Sequence, residues 1–274
     1  MSDKMDLEFK KISLSKAENI GIITLNRPDI QNAISYDTFK ELDYALKLFE
    51  SDEKIRIIFL KSNCSVSKNN TKIFSVGVNL KEYDKKFQLI EENPLEFEKI
   101  LKQTRSLLTR IESLKKPVIA GVDGLAVGGA FEIILACDLI LASDIAQFSL
   151  KEINIGLIPG YGGIQRLIKS IGKKKTFEIV ATGRDLDAQE ALVVGLVAEI
   201  YADSEFNKRS MEFCKKLSHK SSQSLWLIKD TINQLTSKLI DDEIEVKNFI
   251  KAVSSDDAKE GISAFVDKRV PIFS

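Results

Sequence analysis

Histidine is almost absent from this chain of 274 residues: His219 is the only one. It stands in LSHKSS between two expected helices, where an exposed helix-end residue belongs. Triad hydrolases and metal-dependent hydrolases use histidine as base or ligand, so acid–base chemistry here falls to carboxylates. Cysteine is scarce too. Cys64, Cys137 and Cys214 are odd in number and scattered, which argues against a disulfide framework or a zinc cluster and for a reducing setting. Neither sign of charge is in excess: Lys+Arg and Asp+Glu stand at 40 each, leaving no basic field for nucleic acid or an anionic membrane. Local lysine clusters can still meet a phosphorylated small molecule. No apolar run approaches the roughly 20 residues of a membrane span. The start, MSDKMDLEF, has neither a signal-peptide core nor an Arg-rich transit pattern, and the final IFS is not the SKL peroxisomal address. A cytoplasmic protein is expected.

What is present is ordinary globular material, 44% hydrophobic and 29% charged, long enough for one large domain or two smaller ones. Residues 7–14 and 20–25 read as strands, and Ser35 as the cap of a helix reaching about Glu50 with Phe39, Leu42, Leu46 and Phe49 on one face. Apolar runs at 55–60, 117–122 and 138–142 read as buried strands. Helices are expected in the second half of 81–116, and over 160–169, 173–182 and 187–194, with a short strand at 196–200. Alternating strands and helices over 1–200 predict α/β layers. From 201 to 274 the pattern is helix after helix, Leu225, Ile228, Ile232, Leu235 and Leu239 forming one stripe.

The chain is organised around GLAVGGAFEIILACDLILA at 124–142, where one carboxylate, Glu132, follows a glycine pair inside an apolar segment. A glutamate is seldom buried without a partner or a purpose, and glycines before it let a backbone approach a ligand and present N–H groups. Alone, the stretch fits equally a helix with one solvent-facing glutamate. Two strand ends carry glycine, Phe74–Val78 and Val127–Gly129, and two converging peptide N–H groups make an oxyanion hole, although a pair of tight turns has the same sequence. A second carboxylate, Glu152, ends a strand-like segment before the loop PGYGG at 159–163, where a plain turn residue also fits. Neither glycine cluster matches G-x-G-x-x-G or a Walker loop, which disfavours dinucleotide and nucleoside-triphosphate binding.

LNRPDIQNAI (25–34), FSVGVNL (74–80), KPVIAGVDGLAVGGAFEIILACDLILAS (116–143), AQFSLKEINIGLIPGYGGIQRL (146–167) and AFVDKRVPIF (264–273), taken in this order, resemble the enoyl-CoA hydratase/isomerase, or crotonase, family over nearly the whole chain. The resemblance implies a spiral of ββα turns over 1–200 and a C-terminal helical part, 201–274, that trimerises, commonly into a hexamer of two trimers. It implies an acyl-CoA thioester as ligand and no metal or redox cofactor, coenzyme A being part of the substrate. Val78 and Gly129 match the N–H donors of the family's oxyanion hole. Glu132 and Glu152, 20 residues apart, match the two glutamates of its hydratases.

Two carboxyl groups gripping one water can deprotonate it at Cβ and protonate Cα, provided their environments separate their protonation states. The expected assignment has Glu132 orient and help deprotonate the water and Glu152 protonate Cα of a trans-2-enoyl-CoA, giving 3-hydroxyacyl-CoA. Double-bond isomerisation, dehydration on a carrier-protein thioester, and a non-catalytic acyl-CoA- or RNA-binding role are the alternatives. Pure binding needs no buried carboxylate, and the balanced charge does not suit RNA. For coenzyme A the resemblance implies Asp29 and Ile30 along the pantetheine–adenine segment, and Phe265 and Lys268 reaching a neighbouring subunit's coenzyme. Ser75, Gly77, Asn79, Leu80, Gly128 and Gly160 complete the expected substrate-binding set. Asn79 departs from the family's usual Asp, and the 61–73 loop is long, so both bear on acyl-chain preference.

Overall fold

A computed structural model describes residues 9–80, 93–236 and 242–273. The first β-rich segments form a hairpin, β1 (Ile12–Ala17) and β2 (Ile20–Leu25), with Ala17 opposite Ile20 across the turn. Ser35 then closes a capping box with Thr38 at the head of α1 (Tyr36–Ser51), satisfying two of the helix's otherwise orphaned N–H groups, and the expected apolar face is buried. Six further strands alternate destinations: β3 (Ile57–Ser62), β6 (Val118–Val122) and β8 (Leu139–Ser143) extend the sheet of β1 and β2, while β5 (Lys72–Ser75), β7 (Leu125–Val127) and β9 (Gln147–Ser149) build a second sheet in parallel. β11 (Glu199–Tyr201) closes the first sheet, and β10 (Leu186–Asp187) and β4 (Ser65–Val66) edge the second. Each turn of chain thus gives one strand to each sheet and a helix between, a ββα spiral. Strands flanked on both sides must be apolar throughout, which is why VIAGV of β6 is buried at every position.

The intervening helices are α2 (Pro94–Ser113), α3 (Gly129–Leu135), α4 (Gly163–Thr182) and α5 (Ala188–Val193). The two helices expected at 160–169 and 173–182 are the two halves of α4, which break apart where Gly172 takes the non-helical φ 76° and ψ 166°. The first strand lies at 12–17 rather than 7–14, of which residues up to 8 fall outside the described part, as does 81–92. The long 61–73 loop is built, not loose: β4 and β5 pair antiparallel around a turn in which Asn70 adopts φ 59°. At its base Asn32, 2% exposed, donates to the Ser62 hydroxyl and the carbonyls of Asn63 and Phe74, and accepts the Arg27 N–H. One side chain therefore ties the loop after β2 to both sheets.

The C-terminal helices are α6 (Phe206–Ser218), α7 (Ser222–Thr236), α8 (Asp242–Val253) and α9 (Asp256–Asp267). Phe206 and Cys214 of α6 cover Ile57, Phe59, Ile119 and Leu141 on the first sheet. Of the stripe expected on α7, Leu225 packs against the Phe206 cluster while Ile228, Ile232 and Leu235 are exposed, and Leu239 lies outside the described residues. What turns the helix is Lys229, 7% exposed, whose ammonium donates to the Ile111 carbonyl and the Asp138 carboxylate. Two cationic donor bonds sequestered beside the C-terminal end of α2 outrank the burial of any one isoleucine. No helix among the described residues is long and apolar enough to cross a membrane.

α9 lies against the 3-10 turn Glu152–Ile155 so closely that a Cβ at Gly261 would come within 2.4 Å of the Ile155 backbone. Because backbone cannot step aside as a side chain can, Gly261→Ala is expected to destabilise the fold by about 1–3 kcal/mol in urea unfolding. A variant as stable as the parent would show that α9 floats free of this turn.

Candidate active site

Glu132 lies one turn into α3, a helix whose seven residues are all buried, and is itself 1% exposed. Its Oε1 accepts two backbone N–H groups, from Tyr161 and from Gly163, each at 2.8 Å. Gly163 is small for a reason, since a Cβ there would stand 2.9 Å from that same oxygen. The glycine-rich loop after Glu152 therefore wraps the first carboxylate and supplies the partners that no nearby Lys or Arg in sequence provides.

Glu152 opens the 3-10 turn that follows β9. As a residue it is half-buried, but its carboxyl end is not: Oε2 is closed off from solvent and has no hydrogen-bond partner among the described residues. Its Oε1 lies against Gly128, where a Cβ would come within 2.9 Å. Gly128 takes φ 53° and ψ −128°, a backbone region open to glycine alone, and there caps α3. Glycine is thus required beside each carboxyl group.

Burial raises both carboxyl groups above the ordinary carboxylate range, and for Glu132 the charge of Glu152 adds to it. The two N–H groups on Glu132 and the charge of Arg105 pull the other way. Two like charges this close cannot both form cheaply, and the hydrogen bonds decide where the single charge rests. The two N–H groups on Oε1 favour the anion on Glu132, and the lack of a partner on Oε2 among the described residues favours the proton on Glu152.

The segment holding Val78 runs past the head of α3. Ile34 and Val78 form a parallel bridge through the Gly77 carbonyl and the Asn79 N–H, which leaves the Val78 N–H on the side away from Ile34. Val78 is next to Gly129: a Cβ at Gly129 would lie 2.6 Å from a Val78 methyl and 3.1 Å from the Tyr161 ring. Gly77, at φ 83°, sits under the Val127 carbonyl, and the Ser75 hydroxyl holds the segment by donating to the Asn32 carbonyl. Asn79 and Leu80 are half-buried beyond it.

The other expected residues spread outward. Asp29 and Ile30 lie in the turn that Asn32 ties to this segment, Asp29 exposed and held below the usual carboxylate range by its hydrogen bond to Arg27. Gly160 is packed under the Phe249 ring of α8 and turns its carbonyl to Arg105, so its loop meets the site through Tyr161 and Gly163. Phe265 and Lys268 are exposed at the end of α9. Arg105, Arg166 and Glu245 go unread in the sequence. Each sits in a helix whose pattern shows the apolar face and hides a buried charge within it.

A family model described as enoyl-CoA hydratase/isomerase matches residues 15–274. The chain belongs to the enoyl-CoA hydratase/isomerase family. It is 32% identical to the short-chain-enoyl-CoA hydratase of Clostridium acetobutylicum, over 96% of this chain and 97% of that one. It is 35% identical to the mitochondrial enoyl-CoA hydratase of Pongo abelii, over 93% of this chain and 83% of that one. Among solved structures, a methylmalonyl-CoA decarboxylase in complex with 2-nitronate-propionyl-CoA superposes with a TM-score of 0.82 at 26% identity, covering 97% of this chain and 99% of that one. The enoyl-CoA hydratase/isomerase fold thus accompanies more than one reaction name, and the reaction must be argued from the residues.

Because folding raises the Glu152 carboxyl, the group stabilises the fold only while protonated, and that contribution fades as pH climbs from about 4.5. Glu152→Gln keeps the shape and removes the buried charge. Its stability should equal that of the parent near pH 4.5 and exceed it by about 1–3 kcal/mol at pH 8, as read by urea unfolding at both pH values. A constant difference across that range would mean the carboxyl group is hydrated in the folded protein.

Proposed function

We propose that this chain is an enoyl-CoA hydratase, adding water across the double bond of a trans-2-enoyl-CoA to give 3-hydroxyacyl-CoA. The observation that carries the reading is the pair of buried carboxyl groups made unlike by their surroundings, Glu132 gripped by two N–H groups and Glu152 with an oxygen out of solvent and without a partner among the described residues. Sequence relatives over nearly the whole length bear hydratase names.

In this reading the thioester carbonyl lies between the N–H groups of Val78 and Gly129, which stabilise the enolate that forms as oxygen adds to Cβ. Anionic Glu132 takes a proton from the attacking water, and Glu152 gives its own proton to Cα. A proton passed from Glu132 to Glu152 resets the pair. The sum is one water consumed with no change of oxidation state, so no redox cofactor enters, and the two N–H groups do the polarising of the carbonyl that a metal would otherwise do. Asp29, Ile30, Ser75, Gly77, Asn79, Leu80 and Gly128 then border the acyl-pantetheine path. The exposed apolar stripe of α7, and Phe265 and Lys268 at the end of α9, suit an assembly of identical copies, a trimer or a hexamer of two trimers.

Crotonyl-CoA and longer enoyl-CoAs should lose their conjugated-thioester absorbance when the protein is added. Glu132→Gln and Glu152→Gln should each slow that loss by roughly 10²–10⁴-fold with little change in KM. A Glu132→Gln variant at full activity ends the assignment. Ile232→Lys, on the stripe, should shift the sedimentation of the assembly toward single chains; unaltered sedimentation would place the contact elsewhere.

A further inference from the structure

The N–H groups of Tyr161 and Gly163 both donate to Glu132 Oε1, and both belong to peptide units whose other ends are occupied. The carbonyl of the peptide joining Gly160 to Tyr161 accepts Arg105 Nη1 at 3.0 Å. The carbonyl of the peptide joining Gly162 to Gly163 accepts Arg166 Nη1 at 3.2 Å. Both guanidinium groups are inside the protein, each residue being 3% exposed. The same arrangement therefore occurs twice: guanidinium, peptide carbonyl, peptide N–H, Glu132 Oε1.

A peptide group between a cation and an anion is aligned with the field on both sides, and hydrogen bonds in such a chain strengthen one another in a low-dielectric interior. We propose that Arg105 and Arg166 are positioning residues for Glu132, each holding the carbonyl of the peptide whose N–H grips Oε1, so that their charge reaches the catalytic carboxylate through two polarised peptide groups. Neither arginine touches the substrate in this arrangement. They keep Glu132 anionic and fix its orientation while Glu152, without such a chain behind it, keeps its proton.

Both arginines carry carboxylate companions. Arg166 forms a two-pronged pair with Glu112, at 3.1 and 2.6 Å. Arg105 lies 3.8 Å from Glu245 of α8, a residue 6% exposed whose carboxyl is pushed up to about 7 by burial first and by the charge of Glu132 second. The charged groups facing Glu132 are then Glu152 from the 3-10 turn, Arg105 and Glu112 from α2, Arg166 from α4 and Glu245 from α8. This set makes opposite predictions for its two signs. Removing a positive charge must make Glu132 harder to ionise, and removing the negative charge of Glu245 must make it easier.

The inference rests on the hydratase reading for its purpose but not for its test. Glu132 is titrated without substrate, by the infrared carboxyl band that Glu132→Gln abolishes, and the kinetic pH profile is recorded beside it with crotonyl-CoA. Arg105→Gln should move the Glu132 midpoint up by about one pH unit, and Arg166→Gln should move it in the same direction. Arg105→Lys, which keeps a donor and a charge, should restore the parental midpoint. Glu245→Gln, nearly identical in shape to the parent, should move it down by about half a unit. Under the hydratase reading kcat falls with the upward shift while KM holds within about twofold. Midpoints that stay put in Arg105→Gln and Glu245→Gln, or move the same way in both, overturn the relay. If Arg105→Gln does not fold, Arg105→Lys and Glu245→Gln carry the test. An inactive parent would sink the hydratase reading, and the infrared midpoints would still decide this one.

Discussion

Two carboxyl groups share an interior from which water is largely excluded, and the chain must bury them without letting both ionise. That constraint reaches far beyond the two residues. It requires a loop whose backbone N–H groups converge on Glu132, glycine at 163 and 128 where a side chain would strike a carboxyl oxygen, and a tight turn that carries Glu152 in from the end of β9. An unshielded buried carboxylate costs several kcal/mol, comparable to the whole margin of stability of a folded domain. The surrounding backbone donors offset much of that cost for Glu132, whereas Glu152 Oε2 has no such donor among the described residues.

The two-sheet spiral is what makes such an arrangement possible. Successive turns place Gly77–Val78, Gly128–Gly129 and Glu152 at the same edge, because β5, β7 and β9 lie side by side in parallel and each ends there. Val78 and Gly129, about 50 residues apart in the chain, become neighbours in this way. The C-terminal helices then close the far side of the glycine loop: Phe249 fills the space over Gly160, and α9 presses on the turn after Glu152. The catalytic face and the helical region are consequently one mechanical unit.

Much of this was readable from residues alone. Ser35 announced α1 through its cap, the apolar runs announced β3, β6 and β8, and Glu132 and Glu152 stood out as carboxylates in glycine-rich, apolar company. What escaped was of two kinds. A local pattern cannot say which of two neighbouring faces of a helix is buried: the isoleucine stripe of α7 is largely exposed, and Lys229 is the buried residue. Nor can it show a charge whose partner is far away in sequence: Arg105 sits among the inward leucines of α2 and meets Gly160 and Glu245 only after the spiral closes. Gly160 was singled out for its place in a loop, whereas its smallness answers to the Phe249 ring.

Asn32 gives the molecule a property of a different kind. Its one amide fastens the strand ends of β3 and β5 and the turn carrying Asp29 and Ile30 at a single knot, and the β4–β5 hairpin projects beyond it. Residues at the hairpin's tip can lengthen, shorten or change character while the knot keeps such changes from propagating to Val78. Variation at the hairpin's tip is thereby insulated from the segment that carries Val78.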